Sequence, residues 1–316
     1  MKKRYLAILL VLLSCISLFI GVSGISPFDI FRMTEEEATI FFSARIPRLA
    51  SIIIAGVAMS ISGLIMQQLS HNKFVSPTTA GTEDSARFGI LIAMMFIPAA
   101  GLMVKMSLAF VFALLGTFIF MKILDKVKLK DAVFIPLVGL MFGNIITSMT
   151  TFFAYKNDLI QNMTAWLQGN FSMTVKGQYE LIYISIPLVL ISYLFANKFT
   201  VAGMGEEFAV NLGLKYKQVV NIGLSLVAMM SAVVILTAGM IPFLGLIIPN
   251  IVSIYNGDHL QKNLSHTALL GAVFILACDI FGRLIIYPYE IPIGLTVGVI
   301  GSGVFIYLLL RRKAYA

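Results

Sequence analysis

The chain has 316 residues, 59% hydrophobic and 12% charged, with a net charge of +8 and a mean hydropathy of +0.94. Soluble domains are about 45–50% apolar and about 25% charged, so this composition excludes a cytosolic enzyme, a disordered chain and a nucleic-acid-binding domain. A membrane helix takes roughly 20 apolar residues, so ten would use about 200 of the chain and leave the rest for loops.

Met1-Lys2-Lys3-Arg4 opens onto an apolar run to about Ile20. Leu12-Leu13-Ser14-Cys15 has the form of a lipoprotein cleavage box, but the run continues past Cys15 and reads as an uncleaved first span. Thr34 with Glu37 three residues on forms a capping-box pattern that predicts a short external helix over Glu35–Ser43. Pro47 then opens the second span as a first-turn proline. Apolar runs follow at about 47–69, 88–104, 107–124, 132–154, 181–197, 218–237, 242–255, 267–287 and 292–310. The eighth span is short and carries Pro242 and Pro249, which predicts something other than one straight helix. The loop at about 155–180 carries Tyr155 and Trp166, residue types that favour the lipid–water boundary. Arg311-Arg312-Lys313 forms a basic stop.

Sixteen lysines and arginines then fall in the termini and loops of one side, and six on the other: Arg32, Arg45, Arg48, Lys105, Lys156 and Lys176. The positive-inside rule puts the richer side, with both termini, in the cytoplasm. The chain therefore reads as an all-α, multi-pass protein of about ten membrane helices, a single domain over residues 1–316.

The sequence contains no phosphate-binding loop, G-x-S-x-G elbow, H-E-x-x-H or C-x-x-C. Cys15 and Cys278 lie in apolar runs and imply no disulfide, while His71, His259 and His266 lack ligand spacing. No metal, no cofactor and no catalytic residue is expected, and the pattern describes a conduit rather than an enzyme. Asn144, Thr147, Ser148 and Thr151 follow at i, i+3, i+4 and i+7 on one helical face. They read either as interhelical glue or as the wall of a hydrophilic pathway. Gly56, Ser60, Gly63 and Gln67 form a similar stripe on the second span. Asp279 and Arg283, four residues apart, read either as a structural ion pair or, with Arg283 snorkelling outward, as a charge offered to an external partner.

Arg45-Ile46-Pro47-Arg48-Leu49, with Gly56, Ser62-Gly63, Gln67, Asn72, Pro77 and Gly81, resembles the permease subunits of ATP-binding-cassette importers for iron–siderophores and cobalamin. The likeness returns at Gly205-Glu206, Leu212-Gly213-Leu214, Ile241 to Pro249 and Asp258-His259. It closes with Asp279, Arg283, Glu290 to Gly294 and Gly301, so that it covers about 45–310 in order. Val75 to Gly81 and the tail from Arg311 to Ala316 resemble the permeases for catecholate or petrobactin-type siderophores of Gram-positive bacteria. Asn250 after Pro249 departs from a common histidine, and Ser302 after Gly301 is a second departure.

The resemblance implies a type II, cobalamin-importer-like permease fold in a bacterial plasma membrane, carrying a ferric siderophore. Haem, cobalamin or another siderophore is the alternative cargo, and an ion-coupled secondary transporter is the distant alternative mechanism. Implied partners are a second permease subunit (homo- or heterodimer, the heterodimer favoured), two cytoplasmic ATPase subunits and an extracellular substrate-binding lipoprotein. The family's coupling helices correspond to residues 203–216, with Gly205, Glu206, Phe208, Leu212, Gly213 and Leu214 toward the ATPase. On the residues themselves, Phe208 and Leu212 are i, i+4 neighbours, acidic residues occupy the first turn and Gly213 ends the helix. A helix lying on lipid is the other reading of that pattern. Arg45, Arg48 and Arg283 match arginines that meet glutamates of the binding protein.

Overall fold

The computed structural model describes residues 2–21, 34–99, 101–126, 134–172, 174–177 and 179–312. Each predicted apolar run carries a helix: α1 (Lys3–Phe19), α3 (Ile46–Leu69), α4 (Thr82–Phe96), α5 (Leu102–Lys126), α6 (Phe134–Lys156), α8 (Ser185–Ala202), α10 (Tyr216–Ala238), α11 (Leu244–Asn256), α12 (Leu260–Leu284) and α13 (Ile293–Arg312). Shorter helices α2 (Glu35–Ile40), α7 (Ile160–Leu167) and α9 (Glu206–Asn211) stand between them. Among the described residues the only bridge is a single parallel pair, Gln168 with Met240.

Among the described residues six helical runs are long and apolar enough to cross a membrane: Glu35–Leu69, Leu102–Leu124, Leu137–Lys156, Glu180–Ala202, Tyr216–Ala238 and Leu260–Leu284. α11 is not one of them. Its 13 residues rise only about 20 Å, against a hydrocarbon thickness of about 30 Å.

α3 and α10 form the centre, and α3 packs against α8, α10, α11 and α12. The small residues of α3 explain how so many helices reach it. A Cβ at Gly63 would collide with the backbone of Gly245 on α11, and one at Gly56 would meet Gly271 and Ala272 of α12. Gln67 completes the stripe by donating from Nε2 to the Leu246 carbonyl at 3.3 Å. The stripe is helix packing. Van der Waals contact and interhelical hydrogen bonds hold membrane helices together where no hydrophobic effect does.

Three expectations change. The capping box at Thr34 forms, with Thr34 Oγ1 accepting from the Glu37 backbone N–H and the Glu37 carboxylate accepting from the Thr34 N–H. The helix does not end before Pro47, however: a π-helical segment, Phe41–Arg45, joins α2 to α3 in one run. The i→i+5 pattern, with the Ile46 N–H donating to the Phe41 carbonyl, carries the ladder up to a proline that has no N–H to give.

Second, α4 starts at Thr82 rather than 88 and stops at Phe96 before Pro98. Hydropathy missed its first turns because they hold Glu83, Asp84 and Arg87. Each carboxylate accepts from one threonine outside the helix, Thr78 Oγ1 donating to Glu83 at 3.0 Å and Thr147 Oγ1 to Asp84 at 2.9 Å, and Thr82 bonds Thr117 at 2.7 Å. Glu83 Oε2 and Arg87 Nε are buried with no hydrogen-bond partner among the described residues.

Third, α11 is one helix with Pro249 inside it. Pro249 cannot donate to the Gly245 carbonyl, which faces Gln67 Nε2 at 3.5 Å instead. Asn250 donates from Nδ2 to the carbonyls of Lys73 and Leu246, both at 2.7 Å, and so ties α11 to the loop before α4. Arg32, Lys128, Lys130 and Lys313, and the side chains of Trp166, Arg311 and Arg312, lie outside the described residues.

Candidate functional site

At the end of α3 that carries Arg45 and Arg48, four charged side chains from separate parts of the chain meet. Arg48 donates from Nη1 to both carboxylate oxygens of Glu290, at 2.9 and 2.8 Å, and from Nη2 to Asp279 Oδ1 at 2.8 Å. Asp279 Oδ2 pairs with Arg283 Nη2 at 2.7 Å. Arg283 also donates to the carbonyls of Ser17 and Ile20, at 3.0 and 2.9 Å, and to Ser17 Oγ at 2.5 Å. The i, i+4 pair read from the sequence is thus formed, and it is buried, with side chains 5% and 3% exposed. Arg283 does not snorkel, because the uncapped carbonyls at the end of α1 and the Asp279 carboxylate meet its charge inside the chain.

Arg45 donates from Nη1 to the Leu18 carbonyl at 2.6 Å. Arg45, Arg48 and Arg283 line one cavity of about 110 Å³ together with Glu290, Ser17 and Phe171. Three cations against two carboxylates leave this corner with an excess positive charge. Glu290 entered the sequence reading only as part of the resemblance, with no role, and Ser17 not at all. The signal was available in the two buried-side arginines, which cannot stay uncompensated in a low-dielectric layer and require carboxylates nearby.

On α6 the predicted polar face divides. Asn144, Ser148 and Thr151 are exposed along the helix, with Ser148 and Thr151 also donating back to the carbonyls four residues earlier. Thr147 is half-buried and holds Asp84 of α4. Gly139 and Gly143, one turn apart, give α6 its close approach to Thr79, Gly81 and Asp84.

α9 begins with Glu206 and Glu207 in its first turn after Gly205 at φ 108, and Gly213 at φ 77 turns the chain away. The Leu214 N–H donates to the Ala209 carbonyl at 2.9 Å, closing that end, and Leu214 is half-buried. Phe208, Val210 and Leu212 are 49%, 55% and 62% exposed. Three large apolar side chains on and just after so short a helix project outward with none of the described residues over them. On the same side Lys73 pairs with Asp258 at 2.7 Å, which joins the loop before α4 to the segment between α11 and α12. Among the described residues no group of three or more histidine, cysteine or acidic side chains is arranged to hold a metal.

The FecCD transport family profile matches residues 9–311. The chain belongs to this family. It is 65% identical, over the full length of both chains, to the petrobactin import system permease protein YclN of Bacillus subtilis (strain 168). It is 37% identical to the ferric-anguibactin transport system permease protein FatD of Vibrio anguillarum (strain ATCC 68554 / 775), over 93% of this chain and 94% of that one. A solved chain described as a metal-chelate type ABC transporter in an inward-facing conformation superimposes with a TM-score of 0.82, at 22% identity, over 98% of each chain. That likeness establishes the type II importer permease fold. The ion-gradient reading ends with this membership.

Proposed function

We propose that this FecCD-family chain is one of a pair of permease subunits through which a ferric siderophore of the petrobactin type enters a bacterial cell. The observation that carries the cargo is the 65% identity to the petrobactin permease over all 316 residues. Two ATPase subunits on the cytoplasmic side supply the energy, and an extracellular lipoprotein delivers the chelate. Both termini are cytoplasmic, because sixteen basic residues lie on that side against six. The second permease is a different chain, and the exposed Asn144, Ser148 and Thr151 face of α6 borders the water-filled route between the two.

The exposed apolar side chains of α9 support its reading as the coupling helix, which Glu206, Phe208 and Leu212 would present to the ATPase. The cationic cavity of Arg45, Arg48 and Arg283 supports the reading of that corner as the docking point for carboxylates of the binding protein. Arginine's planar fork suits such pairing.

The cargo is tested by uptake of radiolabelled iron in cells whose own permease has been deleted and replaced by this chain. Ferric petrobactin should restore uptake, and restoration by haem or with labelled cobalamin, without petrobactin, would overturn the assignment. Docking is tested by charge reversal of Arg45 and Arg48 to Glu, with reciprocal Glu→Arg changes on the binding protein. Binding should fail with one side changed and recover with both. Unchanged affinity at low salt in the permease variants would rule this corner out.

A further inference from the structure

A second cavity lies at the other end of the helices, where α8 finishes and α10 begins. Its volume is about 270 Å³, and Phe195, Lys198, Leu214, Lys215, Gln218 and Ile222 line it. The ammonium of Lys198 sits over the Phe195 ring, 4.6 Å from its centroid. Among the described residues neither Lys198 nor Lys215 pairs with a carboxylate.

The polarity of this cavity has a direction. Lys215 and Gln218 stand at the start of α10 and Lys198 one turn before the end of α8, whereas Ile222 and Phe195 lie further into their helices. From Lys198 a row at four-residue spacing continues through Leu194, Leu190 and Ile186, which are 79%, 60% and 43% exposed. Twelve residues of helix rise about 18 Å, the depth of one leaflet of a hydrocarbon layer about 30 Å thick. Two cations and an amide at a membrane rim, over an apolar track one leaflet deep, form the complement of one amphiphile.

We propose that this cavity binds an anionic phospholipid, with its phosphate against Lys198, Lys215 and Gln218 and an acyl chain along the exposed row of α8. Basic pockets between membrane helices on the cytoplasmic side recognise acidic lipid headgroups in this way. An acidic segment of a cytoplasmic partner would satisfy the lysines but leave the Leu194–Ile186 row without a function. Leu214 and Lys215 belong to the link that leads from α9 into α10, so the bound lipid also fixes how α9 is held. The inference goes beyond the transport reading and takes from it only the cytoplasmic placement of this end. Labelling of a cysteine at Lys217 from each side of the membrane tests that placement separately.

The experiment is native mass spectrometry of the intact chain released from detergent, titrated with phosphatidylglycerol, phosphatidylcholine or free glycerol phosphate. One phosphatidylglycerol per chain should bind well ahead of phosphatidylcholine, and glycerol phosphate should compete only weakly. At about 1 kcal/mol for each lysine facing an anionic lipid, Lys198→Gln with Lys215→Gln should weaken that binding about 30-fold. Lys176→Gln, at the opposite end, should leave it unchanged. Should the double variant fail to fold, Lys215→Gln alone, at an exposed position, should weaken it about 5-fold. Competition by glycerol phosphate as strong as by the lipid would make this an anion pocket and overturn the proposal. So would unchanged lipid binding in the lysine variants.

Discussion

Removing the Asp279 carboxylate tests how the charged corner is held together. Asp279 is the common partner of Arg48 and Arg283, at 2.8 and 2.7 Å, and its side chain is 3% exposed. Asp279→Leu leaves two guanidinium groups facing each other with one carboxylate, Glu290, between them. Breaking a buried pair by deleting one partner costs about 3–5 kcal/mol. The effect should lie near the lower bound, about 3 kcal/mol, because Arg48 keeps both oxygens of Glu290 and Arg283 keeps the α1 carbonyls. That is on the order of a hundredfold in the folding equilibrium. Replacing both members of a buried pair by apolar groups is often neutral, so Asp279→Leu with Arg283→Met should recover about 2 kcal/mol. The assay is unfolding of the purified chain in mixed micelles by titrated sodium dodecyl sulfate, read by pulse proteolysis. A single variant within about 0.5 kcal/mol of the parent, or a double variant no better than the single, would refute the account, since contacting residues couple by at least about that much.

Gly63→Ala should destabilise by about 1–3 kcal/mol in the same assay, because its Cβ meets the Gly245 backbone, which cannot swing aside. Gly303→Ala, with open space around it on α13, should be neutral or slightly stabilising. Phe208→Asp should leave the chain inserted and folded but abolish stimulation of ATP hydrolysis in proteoliposomes, since an unpartnered charge at a buried interface costs several kcal/mol; normal stimulation would remove α9 as the coupling element. Cysteines at Asn144, Ser148 and Thr151 should react with small polar thiol reagents, in a manner that changes with nucleotide state, while Thr147→Cys reacts more slowly behind Asp84. Reaction at Phe142 and Ile146 instead would make the stripe packing.

The location and order of the membrane helices were legible because a lipid environment forces long apolar stretches to satisfy their own backbone. The same logic failed for α4. Its opening turns carry Glu83, Asp84 and Arg87, and hydropathy has no means of seeing that Thr78 and Thr147 would be waiting for the carboxylates. The capping box at Thr34 was readable as a helix start, yet nothing local announced that a π-helical segment would carry the chain through Pro47 without a new start. Asp279 and Arg283 could be paired from their spacing alone. Their ties to Arg48, Ser17 and Ile20 join residues more than 200 positions apart and depend on the packing of α1, α3 and α12. The α9 pattern was legible for the opposite reason, since its end signals are all local.

The unbroken run from Glu35 to Leu69 has a mechanical consequence. Its 35 residues form a rod about 52 Å long, some 20 Å more than a hydrocarbon layer needs. The surplus at the Glu35 end includes α2, which has no buried residue and touches little besides its own continuation. The other end is enclosed as deeply as α10, gripped through Gly56 and Gly63 by α12 and α11. A sideways force on that outer tip passes through the π-helical segment and Pro47 before it reaches the glycine crossings, so this junction sets how much of it arrives in the interior.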